Sequence, residues 1–180
     1  MIDVEANPSG AVELALNLFG NDILRIAYSY LKRREDAEDI VQDTLIRFMQ
    51  SRLRFDTEQQ AKGWLLRVAA NLCKDYLKSA AHKKQTSLPE GYDVAAEEET
   101  PVIEEESDVL QAMMSLPEKY RSVLHLYYYE EYTTKEIAGI LDKKESTVRS
   151  LLKRGREKLA ERLEAVGGAG CRQKNPEERR

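Results

Sequence analysis

The stretch TTKEIAGILDKKESTVRSLLKRGREKLAERL, Thr133 to Leu163, decides the architecture. Thr133 and Glu136 stand three apart just before the apolar Ile137, the spacing of a capping box. In such a box the threonine hydroxyl takes a backbone N–H of the first turn, and the carboxylate reaches back to the threonine N–H. A first helix then runs to about Leu141, with Asp142 and Lys143 in a turn. Ser146 or Thr147 caps a second helix lasting to about Leu163. Ile137, Leu141, Val148, Leu151 and Leu152 supply a shared core, and Ala138 is small where the two helices cross. This is the pattern of a helix-turn-helix, whose second helix lies in the major groove of DNA. The turn carries no glycine, so Asp142 must take the left-handed conformation, which aspartate tolerates better than most residues.

Charge supports that reading. From Lys143 to Arg162 there are eight bases and three acids. Arg149, Lys153 and Arg156 fall at i, i+4, i+7 and face away from Val148, Leu152 and Leu159. Arginine can grip guanine O6 and N7 with two bonds, whereas lysine meets phosphate as a point charge. The competing reading is a basic, solvated helix that never meets DNA; the capping box, the small crossing residue and the turn favour DNA.

Working outward, apolar residues recur mostly at helical spacing, and the chain reads as all-α: two small helical domains, an N-terminal bundle and the C-terminal helix-turn-helix, joined by a flexible acidic linker. A helix from about Ser9 to Phe19 precedes one that buries Ile23, Ile26, Ala27, Tyr30 and Leu31. Another begins near Asp36 and buries Ile40, Val41, Thr44, Leu45 and Phe48. The next runs from Glu58 past Tyr76, burying Leu65, Val68, Ala69, Leu72 and Tyr76, with Trp64 at its shoulder. The segment SLPEGYDVAAEEETPVIEEESD follows, with two prolines, a glycine and like charges that repel one another, and reads as an extended linker. Order resumes with Val109, Leu110, Met113 and Met114, and Pro117 suits the first turn of the next helix. The last residues, GGAGCRQKNPEERR, read as a frayed tail. The boundaries are 1–85, linker 86–106, 107–166 and tail 167–180.

The 180 residues carry a net charge of −4, which looks wrong for a nucleic-acid binder. Nine of the 32 acids lie between Thr86 and Asp108 with no base among them; without them the 28 bases outnumber the acids by five. The acidity is local. No apolar run reaches membrane-span length, and the N-terminus lacks a basic stretch followed by a hydrophobic one, so neither an anchor nor a secretory signal is expected. Cys73 and Cys171 form no CxxC or Cys/His cluster, so no disulfide or metal site is expected and a cytoplasmic setting is. His82 and His125 stand alone and read as structural. Without a phosphate loop, a paired-carboxylate site with a partner histidine or an HExxH signature, enzymatic activity and a cofactor or small-molecule substrate are not expected.

The helix beginning at Glu58 has a second face. Arg67, Asn71, Lys74 and Lys78 fall at i, i+4, i+7, i+11, a basic stripe with one amide, suited to a nucleic-acid backbone with a base or two read beside it.

Three segments, YSYLKRREDAEDIVQDTLIRF, KGWLLRVAANLCKDYLK and LPEKYRSVLHLYYYEEYTTKEIAGILDKKESTVRSLLKRGREKL, together resemble the successive regions of the extracytoplasmic-function (ECF) sigma factors of bacterial RNA polymerase. The resemblance runs from about Leu18 to Leu163, in order and spacing. It implies a promoter-specificity subunit that binds core polymerase, through its β′ and β subunits, and directs it to promoter DNA for melting and initiation. EDAEDIVQDT is similar to the segment that docks on the β′ coiled coil: Asp39, Gln42 and Asp43 would make polar contacts, with Ile40 and Val41 packing beneath. WLLRVAANLCKDYLK is similar to the segment engaging the −10 element. Asn71 matches the position that helps hold a flipped base, with Arg67, Lys74, Asp75 and Lys78 nearby and the loop from Phe55 to Lys62 completing the pocket. The C-terminal motif is similar to the −35 reader, which assigns DNA contact to Thr147, Arg149, Ser150, Lys153 and Arg154, with Arg156 on the same stripe. The family also implies an anti-sigma factor as partner. The acidic linker either lies in a groove built for RNA or is a plain tether. The DKKE turn and the KDYLK stretch depart from the family's commonest forms, which leaves the promoter sequence open. The alternative function is a freestanding helix-turn-helix regulator that binds operators without polymerase.

Overall fold

Asn7 starts the first helix: its Oδ1 accepts the Gly10 N–H at 3.0 Å, and Pro8 occupies the first helical position, where its missing N–H costs nothing. In this computed structural model, which describes residues 1–86 and 108–170, helix α1 spans Pro8–Leu31 without a break. The expected pair of helices is therefore one. Ala15, Phe19, Ile23, Ile26, Ala27 and Tyr30 form an unbroken buried stripe through Gly20. Packing along that stripe outweighs the roughly 1 kcal/mol that a mid-helix glycine costs.

Lys32 ends α1 in the left-handed conformation (φ 61°), its N–H bonded to the Tyr28 carbonyl. Helix α2, Arg34–Ser51, follows at once, with Glu35 and Asp36 in its first turn, where the helix dipole favours acids. Beyond Arg52 the chain forms a two-residue strand, β2 (Arg54–Phe55), antiparallel to β1 (Ile2–Asp3), a small ladder that the helical reading omits. The Val4 N–H adds a bond of 3.0 Å to the Leu53 carbonyl, and Ile2 and Val4 are buried. Helix α3, Glu58–Thr86, closes the N-terminal unit.

The core of this unit holds Ile23, Ile26, Ile40, Thr44, Phe48, Leu65, Leu66 and Ala69. Phe48 stacks on Phe55 and tilts against Trp64, both with centroids at 5.7 Å, while Phe55 and Trp64 meet edge to face at 6.1 Å. Cys73 is also buried, and burial pushes its thiol up to about 12, so it stays an inert thiol. Tyr76 departs from the expected core, with 42 % of its surface exposed. It lies beside Asp36, Arg33 and Asp39, at the polar start of α2.

The second unit contains α4 (Asp108–Met114), α5 (Glu118–Tyr128), α6 (Thr134–Leu141) and α7 (Glu145–Gly170). Pro117 is the cap of α5, one residue before the helix, and its carbonyl accepts the N–H groups of Tyr120 and Arg121. Ala138 is half-buried against the core, and α7 also approaches α5 closely at Gly155, where an added Cβ would lie 3.3 Å from Leu124. α7 runs beyond Leu163 into the segment expected to fray, as far as Gly170. The acidic linker and the residues after Gly170, Cys171 among them, lie outside the described residues. The two units share one continuous buried cluster, with α5 against α1 and α6 against α3.

Candidate nucleic-acid interface

The capping box forms as its spacing requires. Thr133 Oγ1 accepts the Glu136 N–H at 3.3 Å, and Glu136 Oε2 accepts the Thr133 N–H at 2.9 Å. Asp142 ends α6 with φ 54° and ψ 54°, the left-handed place that a glycine would otherwise fill. The second helix does not open on Ser146 or Thr147. The Lys144 carbonyl accepts the N–H groups of Thr147 and Val148, and α7 begins at Glu145. Ser146 and Thr147 are thereby exposed in its first turn.

Glu145 has two tasks at this turn. Its Oε1 accepts from Thr134 Oγ1 and from Arg149 Nη2, each at 2.7 Å, tying α6 to α7 while holding the guanidinium of Arg149. Hydrogen bonds from Thr134 and then Arg149 keep the Glu145 carboxyl below its ordinary value, so it stays charged. Thr147, Arg149, Ser150, Lys153 and Arg154 are all exposed on α7. Arg156 is exposed too, but its guanidinium lies over Tyr127 and Tyr128, 5.2 and 5.6 Å from the ring centroids. It is already engaged within the unit.

On α3 the expected stripe is divided. Arg67, Asp75 and Lys78 are exposed, with Lys78 3.8 Å from Asp75. Asn71 and Lys74 are half-buried. Lys74 Nζ donates to Asn71 Oδ1 at 3.3 Å and, across the seam between the units, to the Leu141 carbonyl at 3.0 Å. Burial and then the neighbouring charge of Lys143 push the Lys74 ammonium below its ordinary value. The turn of the helix-turn-helix thus sits on the α3 stripe, a contact between residues 67 apart that local periodicity does not carry.

The α2 segment divides as its spacing predicts. Asp39, Gln42 and Asp43 are exposed, Ile40 is buried and Val41 half-buried. The exposed face continues into Ile46 (47 % exposed) and Met49 (42 %), which sequence reasoning passed over. The signal was present: both lie off the Ile40, Thr44, Phe48 line, at i+7 and i+10 from Asp39. An acidic rim beside exposed apolar side chains is the composition of a protein-docking face.

At the seam, Glu130 is 2 % exposed at its side chain and pairs with Lys62 at 2.6 Å, while Lys62 also pairs with Asp22 at 2.9 Å. His125, stacked on Tyr129, places Nε2 3.4 Å from Glu130 Oε1. Burial would raise the Glu130 carboxyl; His125 and Lys62 outweigh it and hold the group near 2 instead of 4.5. A depressed carboxyl stabilises the fold fully above its unfolded value and loses that contribution as pH falls toward its folded value. Thermal unfolding should therefore show a Tm decline between about pH 4.5 and 2 that is shallower in Glu130→Gln. Parallel declines in the two proteins would rule out this carboxylate as the cause.

Two family models match the chain: Sigma-70 region 2 over residues 16–83 and Sigma-70 region 4 over residues 107–159. The chain is 35 % identical over 147 residues to the ECF RNA polymerase sigma factor SigE of Mycolicibacterium smegmatis, covering 78 % of this chain and 57 % of that one. It is 30 % identical to the ECF RNA polymerase sigma factor SigM of Bacillus subtilis, covering 79 % and 88 %. The sigma factor RpoE of Bartonella quintana, solved with the anti-sigma factor NepR, superposes with a TM-score of 0.65 at 22 % identity, covering 84 % of this chain and 96 % of that one. CnrH, solved with the cytosolic domain of CnrY, gives 0.62 at 21 %, covering 90 % and 93 %.

Proposed function

Because the chain belongs to the ECF RNA polymerase sigma factors, whose task is promoter recognition and initiation, we propose how its surfaces divide that task. The exposed face of α2, with Asp39, Gln42, Asp43, Ile46 and Met49, docks on core polymerase. The α3 face, with Arg67, Asn71, Lys74, Asp75 and Lys78, meets the −10 element. The α7 face, with Thr147, Arg149, Ser150, Lys153 and Arg154, meets the −35 element. Arg156 braces α7 against Tyr127 and Tyr128 rather than reading a base. The two working units are residues 1–85 and 107–166.

The observation that carries this assignment is the turn at Asp142. It leaves Arg149 and Lys153 exposed one helical turn apart at the start of a helix whose opposite side is buried at Val148 and Leu152. Recognition helices read base edges from their N-terminal residues, which is where these side chains stand. The chain acts in the cytoplasm as a non-catalytic subunit; no described helix is long and apolar enough to cross a membrane. An anti-sigma factor is its regulatory partner, as in the solved complexes of its structural neighbours, and the exposed Ile46 and Met49 give such a partner an apolar anchor.

The test is in vitro transcription with core polymerase and a promoter library, comparing the wild type with Gln42→Ala and Arg149→Ala. Gln42→Ala should weaken core binding at every promoter alike, and Arg149→Ala should alter which promoters are used. Transcription indistinguishable from wild type in both variants would remove the site assignment. A mobility-shift assay separates the freestanding-regulator reading, which requires tight promoter binding without polymerase.

A further inference from the structure

Arg149 is exposed but tethered. Its Nη2 donates to Glu145 Oε1 at 2.7 Å, one helical turn back, and the same oxygen accepts the Thr134 hydroxyl at 2.7 Å. An exposed i, i+4 ion pair holds itself weakly, because water and salt screen it and two long side chains must be ordered together. Here one of the two is already fixed. Thr134 is half-buried at the first position of α6, and Glu145 is half-buried at the first position of α7. The hydroxyl anchors the carboxylate from the neighbouring helix, and the carboxylate in turn restrains the guanidinium. The helix dipole asks only for an acid somewhere in the first turn. It does not ask for a shared oxygen or for a bond between helices.

Glu145 occupies one N–H of the guanidinium fork, and the donors that remain still suffice for guanine O6 and N7. Holding the fork in place lowers the ordering cost of a base contact. That cost falls only on the promoter whose base the arginine engages, so lowering it raises preference. On the DNA backbone the carboxylate acts in the opposite direction. An anion in the first turn of the reading helix repels phosphate, and it keeps the arginine from turning to phosphate itself, whatever the sequence. Glu145 thus raises discrimination while lowering affinity.

We propose that Thr134 and Glu145 are positioning residues for sequence readout: together they aim Arg149 at one base of the −35 element and lower affinity for the duplex as a whole. The inference rests on the assignment of the α7 face to that element. It places a determinant of base preference on the first helix of the helix-turn-helix, in a hydroxyl already engaged with Glu145.

Holoenzyme reconstituted from core polymerase and the full chain is offered a promoter library randomised across the −35 element. Base preference and overall promoter affinity are read for the wild type, Glu145→Ala, Thr134→Val, Arg149→Ala, and Glu145→Ala combined with Arg149→Ala. Glu145→Ala should reduce preference by about two- to tenfold, the ordering cost of one long side chain, at the single position that Arg149→Ala also affects. Its mismatched promoters should bind at least as tightly as they do with the wild type. Thr134→Val keeps the charge and nearly the shape, so it should lower the same preference without raising affinity. Once Arg149 is gone, removing Glu145 should change no preference further. Intact preference in either single variant overturns the proposal, and leaves the −35 assignment standing where Arg149→Ala still loses its position. Preference and affinity falling together at every position also overturns it, since Thr134 and Glu145 would then serve only the fold. Unchanged preference in Arg149→Ala removes the assignment itself, and the proposal with it.

Discussion

Arg149→Ala should cost about 1–3 kcal/mol of discrimination at a single position of the −35 element, on the order of 5- to 150-fold in the preference for one base pair. Lys153→Ala should act differently. A lysine on phosphate lends affinity without sequence information, so its loss weakens all promoters alike and flattens the salt dependence of binding by about one unit of slope. The contrast follows from side-chain chemistry, since both residues are exposed on the same face of α7. Arg149 is also held by Glu145 at 2.7 Å, which limits the rotamers it samples and lowers the entropy lost on binding. The measurement is promoter selection by reconstituted polymerase at several salt concentrations. Unchanged base preference in Arg149→Ala would show that this arginine does not read sequence.

Phe48→Ala should destabilise the N-terminal unit by about 3–5 kcal/mol, a large part of the 5–15 kcal/mol typical of a whole domain. Phe48 is completely buried and contacts both Phe55 and Trp64. Removing it opens a cavity between α2, which carries the docking face, and the β2 segment that leads into α3. The urea midpoint should fall by about 1 M or more. A loss below about 1 kcal/mol would mean that the β1–β2 ladder, and not the aromatic cluster, fixes that loop. Because Phe48 is remote from the exposed face of α7, any loss of −35 selectivity in this variant should track the unfolded fraction.

Much of the α7 site was legible in sequence because its determinants are local. The Thr133–Glu136 box is a contact between residues three apart, and the left-handed turn at Asp142 follows from where the apolar pattern stops and restarts. The start of α7 moved by two or three residues because the Lys144 carbonyl, and not a side-chain hydroxyl, opens the helix. On α2, the alternation of exposed Asp39, Gln42 and Asp43 with buried Ile40 was readable for the same reason. Tyr76 was misjudged because helical periodicity tells which face points inward, not whether a neighbour reaches that far along the helix. At Tyr76, α3 meets the charged first turn of α2, and the side chain stays 42 % exposed.

By itself, the sequence determined the helical class, the turn geometry and which residues each helix turns outward, since all three depend on spacing within a few residues. Only the tertiary structure decided that Gly20 leaves α1 whole, that the N-terminal strand pins the loop before α3, and that the two units close on each other. Those outcomes depend on contacts such as Arg121 with Ser29 and Lys62 with Glu130, between residues 92 and 68 apart in the chain. A buried-face pattern records how much surface a helix must hide but not what hides it. Nothing near Arg121 in the sequence marks it as the cap of a helix that ended at Leu31.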